Sequence, residues 1–201
     1  MKRFGFFLLC LLLVAALAGC GTDAPRPTMD SGTIQDDVFS NDYFRVCLDI
    51  GGRWNVETEI PRAEYFLSSL EALLGEGHVD FFYIVDKDAG NDQYPSMFMF
   101  ARSMDSMEAY VETASDYLSA AQFELETTYS SAVFDPIEKQ SLSGKEFYYL
   151  NGVVTTDDDD VIYHSVLGRV EDEYMLIIGI SYLDFTQQEE IFAKLHQIEF
   201  N

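Results

Sequence analysis

Positive charge is what this sequence has least of: 12 Lys+Arg stand against 35 Asp+Glu, a formal net charge of −23. Such a chain cannot neutralise a row of phosphates, which excludes nucleic acid as a partner. Cysteine is nearly as sparse, and three in 201 residues cannot build a disulfide scaffold. Histidine is confined to His78, His164 and His196, which read as a loop, a strand and a helix position. None of them has a second ligand three or four residues away, the spacing a helical zinc pair needs. There is no Gly-x-Ser-x-Gly, no His-Glu-x-x-His, no phosphate-cradling glycine loop and no Cys-x-x-Cys. Apolar and aromatic surface, by contrast, is plentiful. At 48% hydrophobic and 14% aromatic residues the chain can bury a core, and its length suits one domain with or without a tail.

A single long apolar run is present, at the N-terminus. Met1, Lys2 and Arg3 form a basic start, and Phe4 to Ala18 is almost wholly apolar. That is shorter than the roughly 20 residues of a spanning helix and matches the core of a secretory signal. Leu17-Ala18-Gly19-Cys20 closes the run and resembles the lipobox of bacterial lipoproteins. The resemblance implies a signal peptide over residues 1–19, a diacylglyceryl group on the Cys20 sulfur, and cleavage just before that residue. The lipid bilayer is then a partner, with the protein held extracytoplasmically on the outer face of the cell membrane. Two acyl chains, at roughly 0.8 kcal/mol per buried CH₂, anchor stably where one does not. Cys10 leaves with the signal, so Cys47 remains as the lone thiol. Its setting, Phe44-Arg45-Val46-Cys47-Leu48, reads as a strand with the thiol as a small buried hydrophobe. Residues 20–38, rich in Pro, Thr, Ser, Gly and Asp, read as a flexible tether. They offer too little apolar surface to offset the entropy of ordering.

Residues 39–201 alternate strand and helix patterns. Tyr43 to Ile50 is a strand, Gly51-Gly52 a turn, and Trp54 to Val56 a short second strand. Pro61 opens a helix with Phe66, Leu67, Leu70, Leu73 and Leu74 at helical spacing. Val79 to Asp86 and Met97 to Ala101 form a hairpin. Met107, Tyr110, Val111, Ala114, Leu118 and Ala121 then make an apolar stripe that predicts a helix from about Ser106, with Asp105 and Glu108 as its capping box. Three strands follow, Lys145 to Leu150, Val161 to Val170 and Tyr174 to Leu183, the last two with clean alternation. Thr186 and Glu189 predict the cap of a final helix carrying Ile191, Leu195 and Ile198. Strands joined by short turns predict an α+β fold: a single antiparallel β-sheet with helices packed on it.

Asn41-Asp42-Tyr43-Phe44 leading to Trp54 resembles the N-x-Y-F start of many small lipoproteins, and Gly144-Lys145-Glu146-Phe147-Tyr148-Tyr149-Leu150 is similar to their G-K-x-F-x-Y-L strand. The C-terminal helix ending in Ile198-Glu199-Phe200 is similar too. These lipoproteins resemble the PsbP-like fold of an extrinsic subunit of the oxygen-evolving complex and of a Ran-nucleotide-release factor. The resemblance implies a PsbP-like α+β domain over about residues 40–201. It implies little about activity, because members of this fold bind unrelated partners.

Candidate chemistry is confined to two acidic clusters. Asp86-Lys87-Asp88 starts like a calcium loop, yet Gly90 and Met97 stand where later ligands belong; a hairpin turn is the simpler reading. Asp157, Asp158, Asp159 and Asp160 are adjacent carboxylates that repel one another and take up solvent, with at most a weak Ca²⁺ site among them. Ser141-Leu142-Ser143-Gly144-Lys145 places a serine near a lysine, but reads as a turn into a strand. No catalytic residue, cofactor or metal is expected. Two functions fit: a non-enzymatic lipoprotein domain that binds an envelope protein or assists an envelope complex, and a small-molecule or Ca²⁺-binding, even hydrolytic, domain that uses the carboxylates and the many tyrosines.

Overall fold

A strand buried on both faces needs a layer on each, and Ser96–Ser103 is buried along nearly its whole length. The architecture of the computed structural model follows from that demand. It describes residues 27–60, 78–88, 94–107 and 109–200. Residues 1–19, Cys20 and the helix expected from Pro61 lie outside these. In chain order the described strands begin with β1 (Thr33–Gln35), β2 (Val38–Asn41), β3 (Val46–Asp49), β4 (Trp54–Glu57), β5 (His78–Asp86) and β6 (Ser96–Ser103). Helix α1 (Ala114–Thr128) follows, then β7 (Ser131–Phe134), β8 (Glu138–Leu142), β9 (Lys145–Thr155), β10 (Val161–Glu171) and β11 (Tyr174–Tyr182). Helix α2 (Phe185–Leu195) and β12 (Glu199–Phe200) complete the fold.

Every pairing among the described residues is antiparallel, but they form two sheets where the sequence predicts one. The large sheet runs β4-β5-β6-β11-β10-β9-β7, with β8 also paired to β9; the small one runs β1-β2-β3-β12. The small sheet is assembled from the two ends of the chain, so no local pattern announces it. β1 and β2 turn at Asp36 and Asp37, both at positive φ, a conformation that aspartate tolerates better than most residues. Strand pairing therefore starts within residues whose composition reads as tether. Asn41 is buried, donates to the Asp30 carbonyl at 2.9 Å and accepts from the Phe44 amide at 3.0 Å, which pins the turn that delivers Tyr43 and Phe44 to the core.

The small sheet and α2 cover one face of the large sheet, where Phe39, Phe44, Leu48, Phe82, Ile178, Ile180, Ile191 and Leu195 pack together. Helix α1 covers the other, packing Tyr117, Leu118, Ala121 and Leu125 on Phe98, Phe100, Val166 and Ile177. Two glycines face a phenylalanine on the neighbouring strand. Gly179 stands opposite Phe98 and Gly152 opposite Phe134, and a Cβ at either would fall 1.9 or 2.2 Å from the ring. Cys47 lies in β3 as expected, half-buried rather than buried.

Both helix starts differ from the sequence reading. α1 begins at Ala114, and its capping box is Thr113 with Asp116: the Thr113 hydroxyl accepts from the Asp116 amide at 3.2 Å and the Asp116 carboxylate accepts from the Thr113 amide at 2.8 Å. Asp105 instead sits in a single 3₁₀ turn, Met104–Ser106, and Tyr110 is 65% exposed. The apolar spacing of Met107 and Tyr110 thus continues the helical stripe without being helix. α2 is capped by Asp184, which accepts from the Gln187 amide at 2.9 Å, two residues before the expected Thr186. Replacing Thr113 by Ala is expected to lower stability by about 1 kcal/mol, and Asp105→Ala to change it little. Urea unfolding of the two variants distinguishes the assignments, since equal losses would contradict the cap at Thr113.

Candidate functional site

Three tyrosines converge on the face of the large sheet that α2 only partly covers. Side chains two residues apart on a strand share a face, so Tyr149 and Asn151 of β9 lie beside Tyr163 and Ser165 of β10, and Tyr182 of β11 pairs with Tyr163. The Tyr163 and Tyr182 rings stack at 5.3 Å with 5° between planes, and the Phe192 edge meets Tyr182 at 6.0 Å. Asn151, Tyr163 and Tyr182, with Leu183 and Asp184 just before α2 and Phe185 and Gln188 within it, bound a cleft of about 400 Å³ beside Tyr149 and Ser165, large enough for a small ligand.

The polar groups of the cleft are linked to one another. The Ser165 hydroxyl donates to Asn151 Oδ1 at 2.9 Å, so it is Tyr149 that donates to Ser165 across their 3.1 Å contact. Asn151 Nδ2 donates in turn to Asp135 Oδ2 at 2.9 Å, and Gln188 Nε2 donates to the Tyr182 hydroxyl at 3.0 Å. Burial pushes the Tyr149 phenol above its ordinary pKa, and the carboxylates of Asp135 and Glu138 add to the rise. Burial does the same to Tyr182, reinforced by the neighbouring Tyr149. Both phenols keep their protons at neutral pH. They can bind and orient, but they are not bases.

The sequence-derived candidates lie outside this cleft. Asp157, Asp158, Asp159 and Asp160 are all exposed in the loop joining β9 to β10. There the Thr156 amide donates to the Asp160 carbonyl at 2.9 Å, the Asp159 amide donates to the Thr156 carbonyl at 3.1 Å, and Asp159 adopts positive φ. Asp86 is buried, paired with Arg53, and accepts from the Asp88 amide at 2.9 Å; Arg53 also reaches Glu190 at 2.9 Å. β6 and β11 separate the end of β5 from β10, a gap of roughly 14 Å at ordinary strand spacing, so the two clusters do not meet. Among the described residues no group of three or more His, Cys, Asp or Glu is placed to hold a metal ion. Ser143, the serine near Lys145, forms a turn with Gly144, both at positive φ, and donates to the Ile198 carbonyl.

Sequence reasoning also passed over a histidine–serine pair. His164 Nδ1 lies 2.9 Å from Ser181 Oγ, across the β10–β11 register. This is the spacing of a base and a nucleophile, but the residues are only 1% and 3% exposed. They face the α1 side, next to the Tyr129 ring at 6.3 Å. Burial pushes the imidazole down to about 3. It is a neutral core group that no substrate reaches.

No protein-family model matches this chain, and no curated protein is similar to it in sequence. Among solved structures it is similar to cyanobacterial PsbP (CyanoP) from Synechocystis sp. PCC 6803, at 12% identity and a TM-score of 0.52 over 89% of this chain and 100% of that one. It is also similar to LpqN of Mycobacterium tuberculosis, a protein involved in cell envelope biogenesis, at 14% identity and a TM-score of 0.49 over 77% of this chain and 82% of that one. Identity this low carries the fold and nothing finer. The fold is PsbP-like, as the short sequence motifs imply. Among the described residues no helix is long and apolar enough to cross a membrane.

Proposed function

We propose that this chain is a lipoprotein held by Cys20 on the outer face of the cell membrane, and that its domain is a non-enzymatic accessory module that binds through the tyrosine-lined cleft. The observation that carries the reading is the chemistry of the cleft. Its amides and the neighbouring hydroxyls are tied to one another, and the phenols of Tyr182 in its wall and of half-buried Tyr149 beside it stay protonated. Such groups recognise a ligand without activating a nucleophile. The lipobox-like Leu17-Ala18-Gly19-Cys20 supports the anchor and the extracytoplasmic location. An envelope protein is the partner class this location favours.

Replacing Cys20 by Ser is expected to release the protein from the membrane fraction or leave it unprocessed; unchanged retention and processing would defeat the anchor. For the cleft, a photo-crosslinking amino acid at Phe185 is compared in intact cells with one at Phe123, exposed on the outer side of α1. Adducts confined to position 185 are expected. Their absence, or an equal yield at position 123, would remove the cleft from the reading.

A further inference from the structure

We propose that the cleft takes an alkylammonium group, supplied by a small free amine or by a lysine side chain of a partner; this deepens the binding reading above and rests on it. The walls are aromatic. Tyr163 is half-buried, lines the cleft and stacks on Tyr182. Phe185, the first residue of α2, is 82% exposed. An aromatic face attracts a cation through its quadrupole, and the apolar wall suits the methylene stem of an amine.

The charge around the walls has one sign. Asp184 lines the cleft; one of its oxygens accepts the Gln187 amide, and the other can accept from an ammonium. Asp135 holds Asn151 from behind, and Glu138 acts with it on the Tyr149 phenol. The Asp157–Asp160 loop closes the same end of β9 and β10, a few residues beyond Val153 and Tyr163. At roughly 3.3 Å per residue, part of that loop falls within a screening length of about 10 Å at 0.1 M salt. Among the described residues no Lys, Arg or His lines the cleft. Lys194, on α2, donates instead to the Asp49 carbonyl at 2.8 Å, and Lys139 pairs with Glu146 at 2.6 Å. An anion would be repelled here, and an uncharged alcohol would gain nothing from the field. The four aspartates thereby acquire a role at a distance.

The test is an amide chemical-shift titration of the full chain in non-ionic detergent with n-pentylammonium chloride. Controls are NaCl at matched ionic strength, which is charge without a stem, and n-pentanol, which is the stem without charge. Saturable shifts at Asn151, Tyr163, Tyr182, Phe185 and Gln188 with the amine alone are expected. The pair Tyr163→Leu and Phe185→Ala should weaken binding about fivefold or more, with the rest of the spectrum unchanged as the check on folding. Asp158→Asn with Asp159→Asn should weaken it less and flatten its salt dependence. No saturable shift, the same shifts with pentanol, or shifts spread over the acidic surface and indifferent to these variants would overturn the proposal. An acetylated, amidated Ala-Lys-Ala peptide that binds as well as the amine assigns the group to a partner lysine; binding by the amine alone assigns it to a small molecule. Crosslinking at position 185 that persists without any response to the amine leaves the cleft a binding site and sinks the ammonium assignment alone.

Discussion

Between pH 6.5 and pH 5 the folded protein is expected to lose about 1.5 kcal/mol of stability through His164 alone. Its imidazole is 1% exposed, and burial pushes its pKa from 6.5 down to about 3. The folded state therefore stays neutral in this range while the unfolded chain takes up a proton. Below pH 6.5 each further unit costs up to roughly 1.4 kcal/mol, and the loss ends only as pH falls through the folded value. At pH 8 the whole contribution is present. His164→Asn keeps a hydrogen-bonding group near Nδ1 and cannot be protonated. It should be less stable than the parent at pH 8, because the smaller side chain leaves a void, and it should lack the slope. Urea unfolding of both proteins at pH 8, 6.5 and 5 isolates the difference, since other titrating groups are common to the two. Parallel pH profiles would mean that His164 can be protonated in the folded protein.

Gly179→Ala is expected to cost about 3 kcal/mol or more, an exceptional value for the addition of one methyl group. The added Cβ would lie 1.9 Å from Cζ of Phe98 and 2.3 Å from its Cε1. The ring is not the loose end of a flexible side chain. Phe98 is 2% exposed, stacks on Phe100 at 5.9 Å, and lies in the cluster beneath α1 with Tyr83 and Ile60. Either the ring or the β6–β11 ladder must shift. Phe98→Leu in the Gly179→Ala background should recover a large part of the loss, whereas Phe98→Leu alone should destabilise; this non-additivity marks two residues in contact. A double-mutant cycle by thermal or urea unfolding reads it directly, and additive losses would show that the clash is relieved elsewhere.

The parts of the fold that were legible are those whose signal is local. Alternation along Ile162, Val166 and Val170, and along Tyr174, Leu176, Ile178, Ile180 and Tyr182, placed β10 and β11 nearly to the residue, because successive side chains of a strand point to opposite faces. Antiparallel pairing followed from the short turns, and the PsbP-like resemblance followed from Asn41-Asp42-Tyr43-Phe44 and the Gly144–Leu150 stretch. The helix starts were legible only approximately. An apolar stripe passes unchanged from Met107 and Tyr110 into true helix, and the boundary is set by where a carboxylate reaches an amide, Asp116 on Thr113.

By itself the sequence determined the acidic balance, the strand periodicities and the absence of local catalytic motifs. Tertiary structure alone decided the second sheet, because β3 pairs with β2 on one side and with the C-terminal Glu199–Phe200 on the other. It alone assembled the cleft as well. Tyr149, Asn151, Tyr163, Ser165 and Tyr182 come from three strands, and a shift of one residue in either pairing would turn a whole row of them to the α1 side. The same register sets His164 against Ser181 and Phe98 over Gly179. A side chain's face is written in its own strand. Which side chains meet across strands is decided by register, and register is set when the turns and both covering layers pack at once.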